Sequence, residues 1–163
     1  MQQPRVFVFI PLLVLVLSLS LGAQTRKQPE PRDGAGTAQV GQVNFPTSCA
    51  AEVRSAIETG VALLHSFQYE ESRQTFSRAA KQDPNCAMAY WGQAMSRYEP
   101  IWEFPNGKTL KEGLGEIQQA RKLGAATERE LGYMAAAAAF YRDEPKLTHE
   151  ERMQGYSAAL ARL

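Results

Sequence analysis

From residue 49 to residue 163 apolar side chains recur every three or four positions, and short polar clusters interrupt them. That spacing is one face of a helix. It predicts six helices, roughly over 49–66, 69–81, 84–98, 109–123, 128–142 and 148–163. Three starts carry the capping-box pattern, in which a hydroxyl and a carboxylate take up free amides of the first turn. They are Thr109 with Glu112, Thr127 with Glu130, and Thr148 with Glu151. Asp83-Pro84 reads as a fourth start, Asp as the cap and Pro in the first helical position. Pro100, Asn106-Gly107, Gly124 and Pro145 read as stops. The connections are short, so neighbouring helices are expected to pack antiparallel. Residues 40–45 come nearest to a strand pattern, but they are few and Gly-rich. The expected class is all-α.

The first 23 residues follow another pattern. Arg5 precedes an apolar run from Val6 to Leu21, broken only by Ser18 and Ser20, and the small residues Gly22 and Ala23 follow. This is the layout of a secretory signal peptide. The run is shorter than the roughly 20 residues a bilayer-spanning helix needs, and Pro11 disfavours a straight helix within it. Cleavage near Gly22 or Ala23 and a periplasmic or secreted protein are expected. The alternative is an uncleaved inner-membrane anchor, because Leu21 fits poorly before such a cut. Residues 24–44 carry Pro29, Pro31, Gly34, Gly36, Gly41 and four Gln with almost no large apolar side chain. Such a stretch cannot bury enough surface to offset chain entropy, and it reads as a flexible linker. The helical domain is expected over 45–163.

Composition narrows the function. The chain has 163 residues, 44% of them hydrophobic, enough for one domain with a real core. Arg5 is the one charge in the first 23 residues, which leaves 17 basic against 17 acidic side chains in the remainder. That balance argues against nucleic acid, whose phosphates demand an excess of Lys and Arg. Enzymatic signals are poor. His65 and His149 are the only histidines. His149-Glu150-x-x-Met153 lacks the second His of a zinc-protease helix. The chain has no Gly-rich phosphate loop and no Gly-x-Ser-x-Gly elbow. No catalysis and no cofactor are expected.

The helix pairs also repeat. Gly60, Ser72 and Ala79 are small residues where paired helices would cross closely, Phe76 is an aromatic between them, and Pro84 closes the unit. A second unit opens about 34 residues on, with Tyr90, Trp91 and Ala94. This pattern resembles the tetratricopeptide repeat. Residues 53–86 match it well, although Ala56 and Thr59 stand where the family prefers Trp and Leu. The second unit carries an insertion, Glu99 to Lys108, and the third keeps the helical pairing and the small run Ala135 to Ala139. Phe45-Pro-Thr-Ser-Cys49, Val61-Ala-Leu-Leu-His65 and Cys86-Ala-Met-Ala-Tyr-Trp-Gly92 look like a group of exported bacterial tetratricopeptide proteins of unassigned function. The resemblance implies antiparallel helix pairs stacked as a short right-handed solenoid. The last helix bears Met153, Tyr156, Leu160 and Leu163 on one side, as in a piece of a longer array.

The resemblance also implies a site. The family's inner-surface positions fall on Arg54, Ile57, Val61, Leu64 and His65 in the first repeat. In the second they fall on Met88, Trp91, Met95, Tyr98 and Glu99. Aromatic and Met side chains suit an interface core, so a groove for a peptide or protein partner is one reading. The other is that the same stripe is core, covered by the 99–108 insertion or by the linker. Cys49 and Cys86 open successive first helices, where equivalent ends lie close together. With export, this implies a Cys49–Cys86 disulfide, the alternative being two buried thiols. The expected function is an exported interaction module. Two alternatives stay open: part of an envelope enzyme in which His65 and nearby carboxylates bind a metal, and a spacer held at the membrane by residues 1–23.

Overall fold

The structure is a computed structural model that describes residues 40–98, 104–142 and 146–163. The expected signal peptide at 1–23, most of the expected linker, Glu99, and the stops at Pro100 and Pro145 lie outside the described residues. Among the described residues every regular element is helical. A 3-10 turn, Ala51–Val53, leads into α1 (Arg54–His65) and α2 (Tyr69–Gln82). Then come α3 (Ala87–Met95), α4 (Gly107–Leu123), α5 (Glu128–Tyr141) and α6 (His149–Leu160). Successive helices pack as the pairs α1 with α2, α3 with α4, and α5 with α6; α2 also packs on α3 and α4 on α5. The first members of the pairs touch in turn, α1 on α3 and α3 on α5.

The face each helix buries follows its spacing. Val53, Ile57 and Val61 lie four residues apart and form one buried stripe. In α2, Ser72, Phe76 and Ala79 are buried while Glu70 and Glu71 occupy the first turn, where the helix dipole favours acids. The short helix α3 buries Ala87, Met88, Ala89, Trp91, Gly92, Ala94 and Met95, so it is apolar nearly all round and sits at the centre. The Phe76 ring lies between α1 and α3. A methyl group at Gly60 would fall 2.7 Å from that ring, and one at Gly92 closer still. Neither glycine has positive φ; both are required by the close approach. Beside this wedge the buried Ser72 hydroxyl donates to the Gly60 carbonyl at 2.8 Å, and the Ser96 hydroxyl lies 2.9 Å from that of Ser72. At the far end of α3, Arg97 bridges to α4 through Glu112 and Glu116, the latter at 2.9 Å.

Three helix starts differ from the sequence expectation. Asn106, read as a stop, is the cap of α4: its side chain accepts from the amides of Lys108 and Thr109. The helix therefore begins ahead of Thr109, and Glu112 serves Arg97 instead of a capping box. Asp83 does not cap α3, whose first residue is Ala87. One Asp83 oxygen accepts from the Asn85 amide and the other from the Ala50 amide. Thr127 caps α5 through the Glu130 amide, but the Glu130 carboxylate accepts from Ser48 rather than completing the box. Thr148 and Glu151 form the full reciprocal box expected. α6 ends at Leu160, three residues before the expected end, and the chain closes in a turn.

Candidate functional site

Residues 43–47 carry no regular secondary structure, and a bend at Ser48 leads toward the first helical turn. Val43, Phe45 and Thr47 are partly buried, while Gln42, Asn44, Pro46 and Ser48 are exposed. That is the two-residue alternation of an extended chain laid on a surface. Val43 and Phe45 pack against the hydrophobic core that the helices share. Val43 lies within the stretch read as linker, so the ordered packing begins earlier than expected. We call residues 43–48 the strap.

Phe45 is the strap's anchor. Its ring stacks on Trp91 of α3 at 5.6 Å and 14°, and tilts against Tyr133 of α5 at 5.6 Å. Trp91 and Tyr133 are 5.6 Å apart, and Phe76 meets Trp91 edge-on at 6.4 Å. The Arg129 guanidinium lies 5.2 Å from the Phe45 ring centre, a cation over an aromatic face. Arg129 and Tyr133 are one helical turn apart on α5, which puts both on the face that meets the strap.

The strap's main chain is held by carboxylates. The Phe45 amide donates to Glu58 of α1 at 3.4 Å, the Ser48 amide to Glu130 of α5 at 2.7 Å, and the Ala50 amide to Asp83 at 2.9 Å. Arg129 donates to the Pro46 carbonyl. The Ser48 and Ala50 contacts are short and so firm anchors, whereas Phe45 is held at the distance limit. Two polar atoms at this site have no partner among the described residues: the Thr47 hydroxyl and the Trp91 indole N–H. Beside the strap an open cleft of about 630 Å³ separates residues 40–44 from Ser55, Glu58 and Thr59 of α1.

At the strap's root Cys49 is bonded to Cys86, with the Cα atoms 4.7 Å apart. Both are buried. An Asp83 oxygen lies with the two sulfurs within 4.8 Å, but the sulfurs are joined to each other, so the cluster is a cross-link. His65 belongs to no group of three metal-ligating side chains among the described residues.

The positions expected to line a groove divide sharply. Ile57, Val61, Met88, Trp91, Met95 and Tyr98 are all buried. Leu64 is half-buried, and Arg54 and His65 are exposed. The apolar stripe is therefore core, covered at Trp91 by the strap and α5. Tyr98 packs among Phe140 at 4.5 Å, Tyr156 at 5.6 Å and His149 at 6.5 Å, and its hydroxyl meets the Met153 sulfur. Burial pushes its phenol up to about 12. His149, stacked on Phe104 at 4.0 Å, is pushed below its ordinary value by burial and then by Arg152.

Sequence reasoning missed Phe45, Tyr133, Arg129, Glu58 and Glu130 as members of one site. A single large aromatic before a proline in a polar stretch was the available signal, since the residue before Pro favours extended backbone. Comparison with protein-family models, with curated proteins and with solved structures finds no match to this chain.

Proposed function

We propose that this chain is an exported interaction module of the tetratricopeptide type, stacked as a short right-handed solenoid, that takes extended polypeptide across the face of α1, α3 and α5. The observation that carries this reading is the strap. An extended segment already lies on that face, with alternate side chains inward and its amides held by Glu58 and Glu130. Such a face offers the two components of extended-peptide recognition: main-chain hydrogen bonds for affinity and side-chain pockets for specificity. The contact between Gly60 and Phe76 supports the repeat reading, because the resemblance assigns those residues to the close crossing and the wedge. The Cys49–Cys86 bond supports export, since disulfides persist in oxidising compartments. The reading assigns no catalysis.

Selection of displayed extended peptides on the oxidised, folded protein tests it. Enriched peptides should lose binding to a Tyr133→Ala variant, by about 2 kcal/mol if Tyr133 acts as an aromatic anchor. Peptides that bind wild type and Tyr133→Ala equally would put recognition elsewhere and sink the assignment.

A further inference from the structure

The strap fills the aromatic box that a partner would need. We propose that residues 43–48 are a built-in competitor, peeled back from the 40–44 end when an extended peptide bearing a central aromatic residue takes the place of Phe45. This rests on the interaction-module reading and names the chemistry of the partner.

Four observations point this way. First, the strap is graded in strength. Its leading end borders an open cleft of about 630 Å³, Phe45 donates at the long distance of 3.4 Å, and the firmer main-chain contacts lie further on, at Pro46, Ser48 and Ala50. Peeling therefore proceeds from the weak end and stops at a fixed root. Second, the root is covalent. The Cys49–Cys86 bond holds the released strap next to the box it has left, so it rebinds when the competitor departs. Third, the fit of the strap is imperfect. The buried Trp91 N–H and Thr47 hydroxyl find no partner among the described residues, and each such group forgoes a hydrogen bond. A competing peptide that offers an acceptor to the Trp91 indole gains what the strap lacks. Fourth, the box selects. Trp91, Tyr133 and the Arg129 guanidinium surround a flat ring, and the last favours an aromatic over an aliphatic side chain.

The size of the competition can be bounded. A short tether gives a local concentration on the order of millimolar, so against a free-peptide Kd on the order of 0.1 mM closure weakens binding about tenfold.

The test uses the full oxidised chain and a synthetic peptide with the sequence of residues 41–48. Titration is followed by calorimetry against wild type and Phe45→Ala. Phe45→Ala should bind the peptide about tenfold or more tightly than wild type does, and a peptide with Ala in place of its Phe should not bind either protein. Amide exchange supplies the second measurement. In wild type the Phe45 amide should exchange at least tenfold faster than the amides of α3, by local opening. A Phe45 amide that exchanges only with global unfolding overturns the proposal, as does a Phe45→Ala chain that fails to fold, because either makes the strap an inseparable part of the core. If selected peptides bind wild type and Phe45→Ala alike through Tyr133, the competitor is refuted while the module reading stands. If no peptide binds either form, both fall.

Discussion

Truncating Trp91 to Ala removes the side chain on which the strap, α3 and α5 converge. Trp91 is 5% exposed and meets Phe45, Phe76 and Tyr133. Large-to-small changes of this kind in a core cost about 3–5 kcal/mol, the transfer free energy of the lost atoms plus the cavity left behind. One contribution runs the other way. The Trp91 indole N–H is buried without an acceptor among the described residues, and removing an unsatisfied donor recovers about 1–3 kcal/mol. The cavity dominates for Ala, because the strap cannot follow the collapse while its root is fixed at Cys49. At mid-range the two contributions leave a net loss of about 2 kcal/mol, which lowers the melting temperature by roughly 6–12 °C for a domain of this size. Trp91→Phe keeps most of the stacking surface and removes the orphan donor, so it should lie within about 1 kcal/mol of wild type. Thermal melts by far-ultraviolet circular dichroism on the oxidised chain measure both. If Trp91→Ala melts within about 2 °C of wild type, the stripe is not core and the burial argument fails. If Trp91→Phe is as damaging as Trp91→Ala, the indole N–H has a partner after all.

Paired Cys49→Ser and Cys86→Ser substitutions open a crosslink spanning 37 residues and should lower stability by about 4 kcal/mol, read as a drop in the denaturant midpoint. Gly92→Ala gains about 1 kcal/mol of helix propensity but drives a methyl group into the Phe76 ring, so a net loss of about 1–2 kcal/mol is expected by the same measurement. Gly115→Ala on the exposed face of α4 meets no atom within 4 Å and should instead raise stability by about 0.5–1 kcal/mol. His149 titrates below the ordinary 6.5 because burial and Arg152 disfavour its cation. Its neutral form is favoured by folding, so its contribution is present above pH 6.5 and is lost as pH falls through the lowered midpoint. Its imidazole resonances in an NMR titration should report that lower midpoint, and a midpoint at or above 6.5 would contradict the packing against Phe104 and Arg152.

The candidate site shows what local rules miss. Glu130 sits three residues after Thr127, and local spacing reads it as half of a capping box. In the fold it is fully buried and accepts from the amide of Ser48, 82 residues earlier in the chain. Asp83 likewise looks like a cap; one of its oxygens accepts from the nearby Asn85 amide and the other from Ala50, 33 residues away. In each case one carboxylate oxygen keeps a local donor, the Thr127 hydroxyl or the Asn85 amide, and the other takes a distant main-chain amide. A carboxylate has two oxygens, so it can serve its own helix start and a distant segment at once, and local spacing reveals only the first of these.

The sequence by itself determined the all-helical class, the six helices seen among the described residues and the packing of successive helices as pairs, and the repeat resemblance implied the Cys49–Cys86 bond that the structure contains. The class and the pairing follow from spacing along the chain: apolar positions every three or four residues, and short polar breaks between the helices. The glycine and aromatic spacing was legible too, since Gly60 meets Phe76 at close range. Only the tertiary structure decided whether the stripe from Ile57 to Tyr98 was groove or core. Helical periodicity states which residues share a face and is silent on what covers it. The cover came from Val43 and Phe45 in a polar stretch and from Tyr133 on α5, whose register the 99–108 insertion had obscured. Contacts between segments nearly 90 residues apart leave no periodic trace in either segment. They depend on the shape that remains once the helices have packed, and on which buried amides still need an acceptor.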